Sequence, residues 1–207
     1  MVKIGIVGFQ GDVQEHLEMF TRISGKGKNV QVQLIRKEVE LDSVDGLVIP
    51  GGESTTIYKL IKEYNIYNRI KEKFKDGFPV MGTCAGLILL SKNTNDPRVE
   101  GLGVLDSEIL RNGYGRQGES FIDDVNIKGI GNVKGVFIRA PVIKNVGNSS
   151  VLAYYRELPV MIYSRFALGM TFHPELTEDT RIHEMFMGMI GGEGYISSGE
   201  GIEVLGE

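Results

Sequence analysis

The single cysteine of the chain, Cys84, lies in a setting that suits a nucleophile. One cysteine among 207 residues excludes an internal disulfide and a multi-cysteine metal site. An apolar run over 78–81 precedes it and an apolar, helix-compatible run over 85–90 follows it, with Gly82 and Gly86 on either side. This pattern predicts a sharp strand-to-helix turn that lifts the sulfur out of a sheet. The alternative is a buried cysteine that behaves as a small hydrophobic residue.

A histidine and a carboxylate two positions apart can supply the partners that a cysteine nucleophile needs. His173, Pro174 and Glu175 close the last β-like run of the sequence. His173 can act as the base for Cys84, and Glu175 can hold the imidazole in the useful tautomer. The proline stiffens the turn that presents both side chains. The alternative is an ordinary surface turn.

The other two histidines provide an internal comparison. His16 lies on the first predicted helix and His183 on the last, and neither is in a loop supported by glycine or proline. We therefore predict that both are surface or interface residues.

The loop Gly51-Gly52-Glu53-Ser54 follows a predicted strand and opens a predicted helix. Its backbone N–H groups therefore offer an anion site. The loop lacks the Gly-Lys-Ser/Thr ending of a phosphate loop. An oxyanion hole fits better, because a thiol that transfers acyl groups needs hydrogen-bond donors held close by. The alternative is a simple helix start.

Two arginines follow predicted strands and can bind a carboxylate. Arg111 opens a polar, arginine-rich loop over 111–117, and Arg139 ends the run 135–139. A guanidinium in either place can hold a substrate carboxylate in a forked pair. Both are equally explained as solvated surface residues.

The elements that must position these residues alternate between strand and helix in the first half of the chain. The sequence predicts strands over 2–9, 30–35, 47–49 and 78–81, and helices over 13–23, around Ile57 to Ile61, over 65–74 and over 85–90. Shorter β-like pieces then follow over 104–110, 121–127, 135–139, 151–155, 159–164 and 167–172, before a helix over 179–190. We therefore predict an α/β single domain with a mostly parallel, flavodoxin-like central sheet, helices on both faces and additional antiparallel strands in the C-terminal half.

Three predicted loops meet at one edge of this sheet. Sites in parallel sheets form at the carboxyl ends of the strands, where Gln10, the loop 51–54 and Cys84 all fall. Gly5, Gly8 and Gly11 do not match the dinucleotide-binding spacing, which argues against a nucleotide role for the first loop. We expect one crevice lined by these three segments.

The net charge, the lengths of the apolar stretches and the cysteine count indicate which partners and which cellular location to expect. A net charge of -4 argues against nucleic acid as the main partner. The sequence has no apolar stretch as long as a membrane span, and one cysteine without a targeting segment predicts a cytoplasmic protein. We predict one domain over residues 1–190 and a glycine-rich tail over 191–207 that is irregular or partly disordered.

Several motifs in order resemble a known enzyme family. Pro-Gly-Gly-Glu-Ser-Thr-Thr (50–56), Gly-Thr-Cys-Ala-Gly (82–86) and Phe-His-Pro-Glu (172–175) resemble the triad-type class I glutamine amidotransferases. Within that group the chain looks like the glutaminase subunits of pyridoxal phosphate synthase, and the resemblance extends from residue 3 to about residue 190. The more specific stretches are 9–16, 111–117, 137–141 and 173–179.

The resemblance implies hydrolysis of L-glutamine to L-glutamate and ammonia, without a cofactor or a metal. Cys84 would form a glutamyl thioester, His173 would carry the proton to ammonia and then activate water, and Glu175 would orient His173. The N–H groups of Gly52 and Ala85 would face the oxyanion. The positions that match the family's glutamine-binding residues are Gly52, Glu53, Ser54, Arg111, Ile138 and Arg139.

The resemblance also implies a protein partner. The family passes ammonia to a (β/α)₈-barrel synthase subunit, which builds pyridoxal 5'-phosphate from pentose and triose phosphates. We expect that subunit to dock at the Gln10 loop and the rim around Cys84.

Two departures and two alternatives accompany this resemblance. Phe9 replaces a more usual leucine, and Gly113-Tyr114 replaces a small residue and phenylalanine.

The alternatives are a glutaminase subunit of another amidotransferase, for example imidazole glycerol phosphate synthase, and a non-catalytic interaction subunit with the same fold. The stretches 111–117 and 137–141 speak against the first, and the presence of all three triad residue types speaks against the second.

Overall fold

A nine-stranded mixed sheet forms the centre of the computed structural model, which describes residues 1–111, 113 and 120–191 and the backbone of 194–198 and 201–205. The helices are α1 (Val13–Gly25), α2 (Ser54–Glu63), α3 (Ile66–Lys75), α4 (Ala85–Leu90) and α5 (Arg181–Ile190), with short 3-10 helices at Glu38–Ser43 and Pro174–Leu176. The strands of the central sheet are β1 (Val2–Val7), β2 (Val30–Ile35), β3 (Gly46–Ile49), β4 (Val80–Thr83), β7 (Ser120–Ile127), β8 (Gly131–Ile138), β10 (Ser150–Tyr155), β11 (Leu158–Ser164) and β12 (Ala167–Met170). The remaining strands are β5 (Ser91–Asn93), β6 (Leu105–Leu110), β9 (Val142–Asn145), β13 (Gly194–Ser198) and β14 (Gly201–Leu205).

The central sheet changes from parallel to antiparallel pairing at β12. Its strand order is β2-β1-β3-β4-β12-β11-β10-β7-β8. The pairings from β2 to β12 are all parallel, and those from β12 to β8 are all antiparallel. The predicted fold class, a parallel α/β sheet extended by antiparallel strands from the C-terminal half, is confirmed.

Helices cover both faces of the sheet because its central strands are buried on both sides. Successive residues of a strand point to opposite faces, and in β3 Leu47 and Ile49 belong to one apolar cluster whereas Val48 belongs to the other. The first cluster includes residues of α2, α3 and α4, and the second includes residues of α1 and α5. Continuous apolar strands of this kind are typical of a sheet between two helical layers.

Strand β4, which leads to Cys84, lies two residues further along the chain than predicted. We expected a strand over 78–81, and the structure has Val80–Thr83. Pro79 has no N–H to donate to a sheet, and the register with β12 extends through Thr83, which pairs with Met170. The strand therefore runs up to the residue that precedes the cysteine.

Two short strands were not predicted. β5 and β9 pair with opposite edges of β6 in a separate three-stranded sheet. Their segments, Ser-Lys-Asn and Val-Ile-Lys-Asn, are too short and too polar to give a period-2 signal. Tertiary pairing decides their conformation.

The glycine-rich tail forms a hairpin where it is described, which corrects the expectation of an irregular segment. The backbone of β13 pairs antiparallel with that of β14, from Gly194 opposite Leu205 to Ser198 opposite Gly201. Between its glycines the sequence holds tyrosine, isoleucine and valine, which favour strands. In the part of the chain that the structure describes, no helix has the length and apolar character needed to span a bilayer.

Candidate active site

Cys84 lies on the predicted sharp turn between β4 and α4. Its backbone has φ 48° and ψ -101°, in the region that L-residues rarely adopt. The Cys84 N–H donates to the carbonyl of Met170 on the adjacent strand, at 2.9 Å. A Cβ at Gly82 would lie 2.5 Å from the Gly86 carbonyl carbon, and one at Gly86 would lie 2.0 Å from the Ile49 oxygen. The two glycines are therefore required by close backbone approach, and the predicted turn is confirmed.

His173 follows β12, and one of its ring nitrogens is hydrogen-bonded to a buried carboxylate. Its backbone N–H donates to the Val136 carbonyl at 2.8 Å, which fixes the start of the turn. The distance from His173 Nδ1 to Glu175 Oε1 is 2.9 Å, and the Glu175 side chain is fully buried. The other ring nitrogen, Nε2, is also buried and makes no hydrogen bond of ordinary geometry with the described residues. Nε2 is therefore the ring nitrogen that is left to exchange a proton with Cys84 and the substrate.

The Asp12 carboxylate is a second acid beside the same nitrogen, and its contact was not predicted from the sequence. Asp12 Oδ2 lies 3.0 Å from His173 Nδ1. Asp12 is the N-cap residue of α1, but its side chain makes no capping hydrogen bond. A Cβ at Gly51 would lie 2.5 Å from Asp12 Oδ2 and 2.4 Å from His173 Cε1, so the loop must carry glycine there. An aspartate is common at the start of a helix, so its residue type alone did not predict the contact of Asp12 with His173.

The two carboxylates strongly favour the charged form of His173. Burial by itself would lower the pKa of His173, but its interactions with Asp12, Cys84 and Glu175 outweigh burial and raise the pKa to about 12. Burial raises the pKa of Glu175, and the hydrogen bond and charge of His173 partly oppose this effect. Asp12, His173 and Glu175 each place one potential metal-ligand atom within 4.8 Å of the others. Because Nδ1 is hydrogen-bonded to Glu175 Oε1 and lies beside a second carboxylate, it carries a proton and is not free to ligate a metal.

His16 and His183 are buried, and the prediction that they are surface or interface residues is wrong. Both are 0% exposed. Helices α1 and α5 pack together on one face of the sheet, and this places His16 Nδ1 2.9 Å from His183 Nε2. His16 Nε2 lies 3.2 Å from Thr83 Oγ1 and 3.5 Å from Glu175 Oε1. The two histidines therefore lie directly behind the catalytic candidates.

The loop after β3 is fixed beside the site by two of its backbone N–H groups. Gly51 N–H donates to Thr83 Oγ1 at 3.0 Å, and Glu53 N–H donates to Gln10 Oε1 at 2.9 Å. Gly52 has φ 145°, and a Cβ there would lie 2.7 Å from Gln10 Oε1. Helix α2 begins at Ser54 with Glu53 as its N-cap residue. The Gln10 loop therefore holds the segment in which an oxyanion hole was predicted.

One cleft of about 290 Å³ brings the predicted site residues together. Glu175 alone among them does not line it, because it lies behind His173. The lining residues are Gln10, Asp12, Gly52, Glu53, Ser54, Cys84, Ala85, Ile88, Arg111, Ile138, Arg139, Pro141 and His173. Ala85 is the first residue of α4, so its N–H has no partner within that helix.

The two candidate arginines differ in what they already bind. Arg111 Nη2 donates to Glu53 Oε1 at 2.9 Å, and Arg111 Nη1 donates to the buried carboxylate of Asp96. A hydrogen bond from Arg98, with those of Arg111, holds the pKa of Asp96 well below its usual range. Arg139 has a positive φ of 42° and no ion-pair partner among the described residues. Of the rest of the predicted loop 111–117, Gly113 is described, whereas 112 and 114–117 lie outside the described residues.

Comparison with protein families and curated proteins gives one consistent result. The profile of the "SNO glutamine amidotransferase family" matches residues 6–191. The chain is 57% identical over 200 residues to the "Pyridoxal 5'-phosphate synthase subunit PdxT" of Thermoplasma volcanium, with 97% of this chain and 100% of that protein covered. It is 51% identical over 191 residues to the protein of the same name from Picrophilus torridus, with coverage of 92% and 100%.

Solved structures agree on the fold. A crystal structure of a glutamine amidotransferase matches with a TM-score of 0.85 and 41% identity, covering 91% of this chain and 98% of that chain. A structure of PurLQS from Thermotoga maritima matches with a TM-score of 0.63 and 15% identity, covering 92% of this chain and 93% of that chain. The second likeness, at this identity, shows a shared fold alone.

Proposed function

The chain belongs to the SNO glutamine amidotransferase family, and from this premise we propose that it hydrolyses L-glutamine to L-glutamate and ammonia. We further propose that it delivers the ammonia to a (β/α)₈-barrel synthase subunit that makes pyridoxal 5'-phosphate. The names of the two relatives that are 57% and 51% identical over their whole length support this assignment over other amidotransferases.

The single observation that carries the chemistry is the shared cleft of Cys84 and His173. Cys84 lies at the N-terminus of α4 on a strained turn, and the nearby His173 is hydrogen-bonded through Nδ1 to the buried Glu175. Nucleophile, base and orienting acid in this order are the requirements of covalent acyl transfer.

The first half-reaction forms a thioester. His173 takes the thiol proton of Cys84 on Nε2 before the attack, and the charged imidazolium then faces a thiolate that attacks the side-chain amide carbon of glutamine. The oxyanion that forms is stabilised by the N–H groups of Gly52 and Ala85, which both line the cleft. His173 then gives its proton to the departing nitrogen, the C–N bond breaks, and ammonia leaves.

The second half-reaction restores the enzyme. His173 takes a proton from water, and the resulting hydroxide attacks the thioester carbon. When the C–S bond breaks, glutamate is released, and the proton returns to the Cys84 sulfur. Glu175 stays hydrogen-bonded to Nδ1 throughout, so the imidazole keeps Nε2 towards the reacting atoms.

The polar residues at the open side of the cleft suit the amino-acid end of glutamine. Arg139, which has no ion-pair partner among the described residues, binds the α-carboxylate in this proposal. Glu53 binds the α-ammonium group, while Arg111 fixes the position of the Glu53 carboxylate. Ser54 and Ile138 complete the lining.

The organisation of the chain is part of the same proposal. Residues 1–190 form the glutaminase domain, and 191–207 are an appended tail. The protein is cytoplasmic, as its single cysteine indicates.

The synthase subunit docks at the Gln10 loop and the rim around Cys84. This placement is supported by the hydrogen bond from Glu53 N–H to Gln10 Oε1, through which a partner that moves Gln10 would also move the oxyanion loop.

The test is release of ammonia from glutamine by the purified protein, with and without the barrel-type synthase subunit. We expect release that rises sharply with the partner, and none from a Cys84→Ala variant that still binds the partner. The proposal fails if the wild-type protein releases no ammonia even when it is bound to the synthase subunit.

A further inference from the structure

We propose that Thr83, His16 and His183 form a one-directional hydrogen-bond chain that holds Glu175 against His173, and that Thr83 is a positioning residue for catalysis. This inference rests on the proposed glutaminase function. None of the three residues lines the cleft. All three are fully buried, and they come from β4, α1 and α5.

Thr83 Oγ1 is the junction of this chain. It donates to Glu175 Oε1 at 3.0 Å and accepts from the Gly51 N–H at 3.0 Å. Its third neighbour is His16 Nε2, at 3.2 Å. A hydroxyl has one hydrogen and two lone pairs, so these three contacts use its whole capacity.

The direction of each hydrogen bond follows from the carboxylate. Glu175 Oε1 already accepts from His173 Nδ1, and it can only accept from Thr83 as well. Because the Thr83 hydrogen is committed to Glu175, the His16 Nε2 atom must donate to Thr83. In the opposite tautomer, His16 Nε2 would have no hydrogen. It would then face two oxygens that cannot donate to it, Thr83 Oγ1 at 3.2 Å and Glu175 Oε1 at 3.5 Å.

The assignment of His16 determines that of His183. If Nε2 of His16 carries its hydrogen, then Nδ1 is bare and accepts from His183 Nε2, at 2.9 Å. The chain ends at His183 Nδ1, which is buried and has no hydrogen-bond partner among the described residues. Because this Nδ1 atom carries no hydrogen in the proposed tautomer, the chain ends without a buried N–H group that lacks an acceptor.

Both histidines are neutral, as this chain requires. Burial, with smaller contributions from His183 and His173, lowers the pKa of His16 well below its ordinary value. Burial lowers the pKa of His183 to about 3. Each ring therefore has one N–H donor and one acceptor, and the carboxylate end sets the order in which they are used.

The arrangement links the acid of the triad to the oxyanion loop. Without the Thr83 hydroxyl, Glu175 Oε1 loses a donor and Gly51 N–H loses its acceptor, next to Gly52. Glu175 Oε2 already lacks a partner among the described residues, so the carboxylate is sensitive to this loss. A histidine pair that merely filled the core would have no such effect on the reaction rate.

The test compares Thr83→Val, Thr83→Ser and Thr171→Val in the complex with the synthase subunit. Thr83→Val keeps the shape and removes the hydroxyl, and we expect kcat to fall by about 10- to 100-fold, the equivalent of one hydrogen bond to a charged group, with KM for glutamine nearly unchanged. Thr83→Ser restores most of kcat. Thr171→Val is the matched control, because its hydroxyl is equally buried but has no hydrogen-bond partner among the described residues. A wild-type kcat in Thr83→Val overturns the proposal.

A second measurement needs neither substrate nor variant. Imidazole ¹⁵N–¹H NMR of the wild-type protein reports the tautomers, and we expect both His16 and His183 to carry hydrogen on Nε2. Hydrogen on Nδ1 of His16 overturns the chain, even if Thr83→Val does not fold. If the tautomers are as expected and glutamine is not hydrolysed, the proposed function fails while the hydrogen-bond chain stands.

Discussion

The carboxylate of Asp12 lies 3.0 Å from Nδ1 of His173. This nitrogen has one hydrogen, and Glu175 is already 2.9 Å away from it. Asp12 is partly exposed, with 27% of its side chain accessible, whereas the Glu175 side chain is 0% exposed. The imidazole therefore has an inner acid held by the core and an outer acid on the Gln10 loop.

Removal of the outer charge should lower the pKa of His173. In Asp12→Asn the amide keeps the shape but removes one of the interactions that raise this pKa. We expect the His173 Cε1 proton to titrate at lower pH than in the wild-type protein, as followed by NMR. Glu18→Gln, a change on an exposed side chain of the same helix, is the control and should leave the titration unchanged. An unshifted midpoint in Asp12→Asn would show that Asp12 does not contribute to the raised pKa of His173.

Protonated His173 should stabilise the fold in a defined pH range. Its pKa is raised from 6.5 to about 12, so its contribution is complete below about pH 6.5 and is lost as the pH rises towards 12. The comparison is the free energy of unfolding of wild type and His173→Gln in urea, from pH 6 upward. We expect their difference to shrink steadily with rising pH. A difference that grows with pH would contradict the raised pKa.

Substitution of Gly52 should damage both stability and catalysis. A Cβ there would meet Gln10 Oε1 at 2.7 Å and Gly11 Cα at 2.9 Å, at a φ of 145°. We expect Gly52→Ala to lower the melting temperature and to reduce kcat, because the oxyanion loop must shift. Gly27→Ala is the control: its φ is 86°, but a Cβ would have nothing within 4 Å. It should cost only the backbone strain, about 1–2 kcal/mol, with wild-type kcat.

Substitutions of Arg139 and of Arg111 should differ in their effects on KM for glutamine and on the melting temperature. Arg139 has no ion-pair partner among the described residues, so Arg139→Gln should raise KM for glutamine by more than about tenfold, as loss of a charged hydrogen bond implies, with a smaller effect on kcat. Arg111→Gln leaves the buried Asp96 with Arg98 as its remaining arginine partner, so it should also lower the melting temperature. Equal KM values for Arg139→Gln and wild type would remove Arg139 from the substrate site.

Local chemistry marks the turn at Cys84 and the Gly51–Ser54 loop in the sequence, and the structure places both at the cleft. Cys84 has glycines that only a tight strand-to-helix turn requires, and the Gly51–Ser54 loop has the composition of a helix N-terminus. The parallel sheet then brings such loops to one edge. The order and type of the elements up to Leu90 follow from the same apolar patterns.

Long-range contacts were missed because no local pattern encodes them. Asp12 has the residue type of a helix cap, and its contact with His173 depends on how α1 is placed over the sheet. His16 and His183 are polar residues on helices, and their burial depends on the packing of α1 against α5. Polar strands such as β5 depend on a pairing partner that the segment itself does not reveal.

The pairing of β4 with β12 also has a consequence for how the protein is made. Thr83 lies opposite Met170, so Cys84 and His173 are brought together from positions separated by more than a third of the 207 residues. Closing so long a loop is late and costly in folding. During synthesis, Cys84 leaves the ribosome well before β12 and His173 exist. The growing chain therefore has no pairing of Cys84 with His173 until β12 and residue 173 have been translated, and ammonia production cannot start before that point.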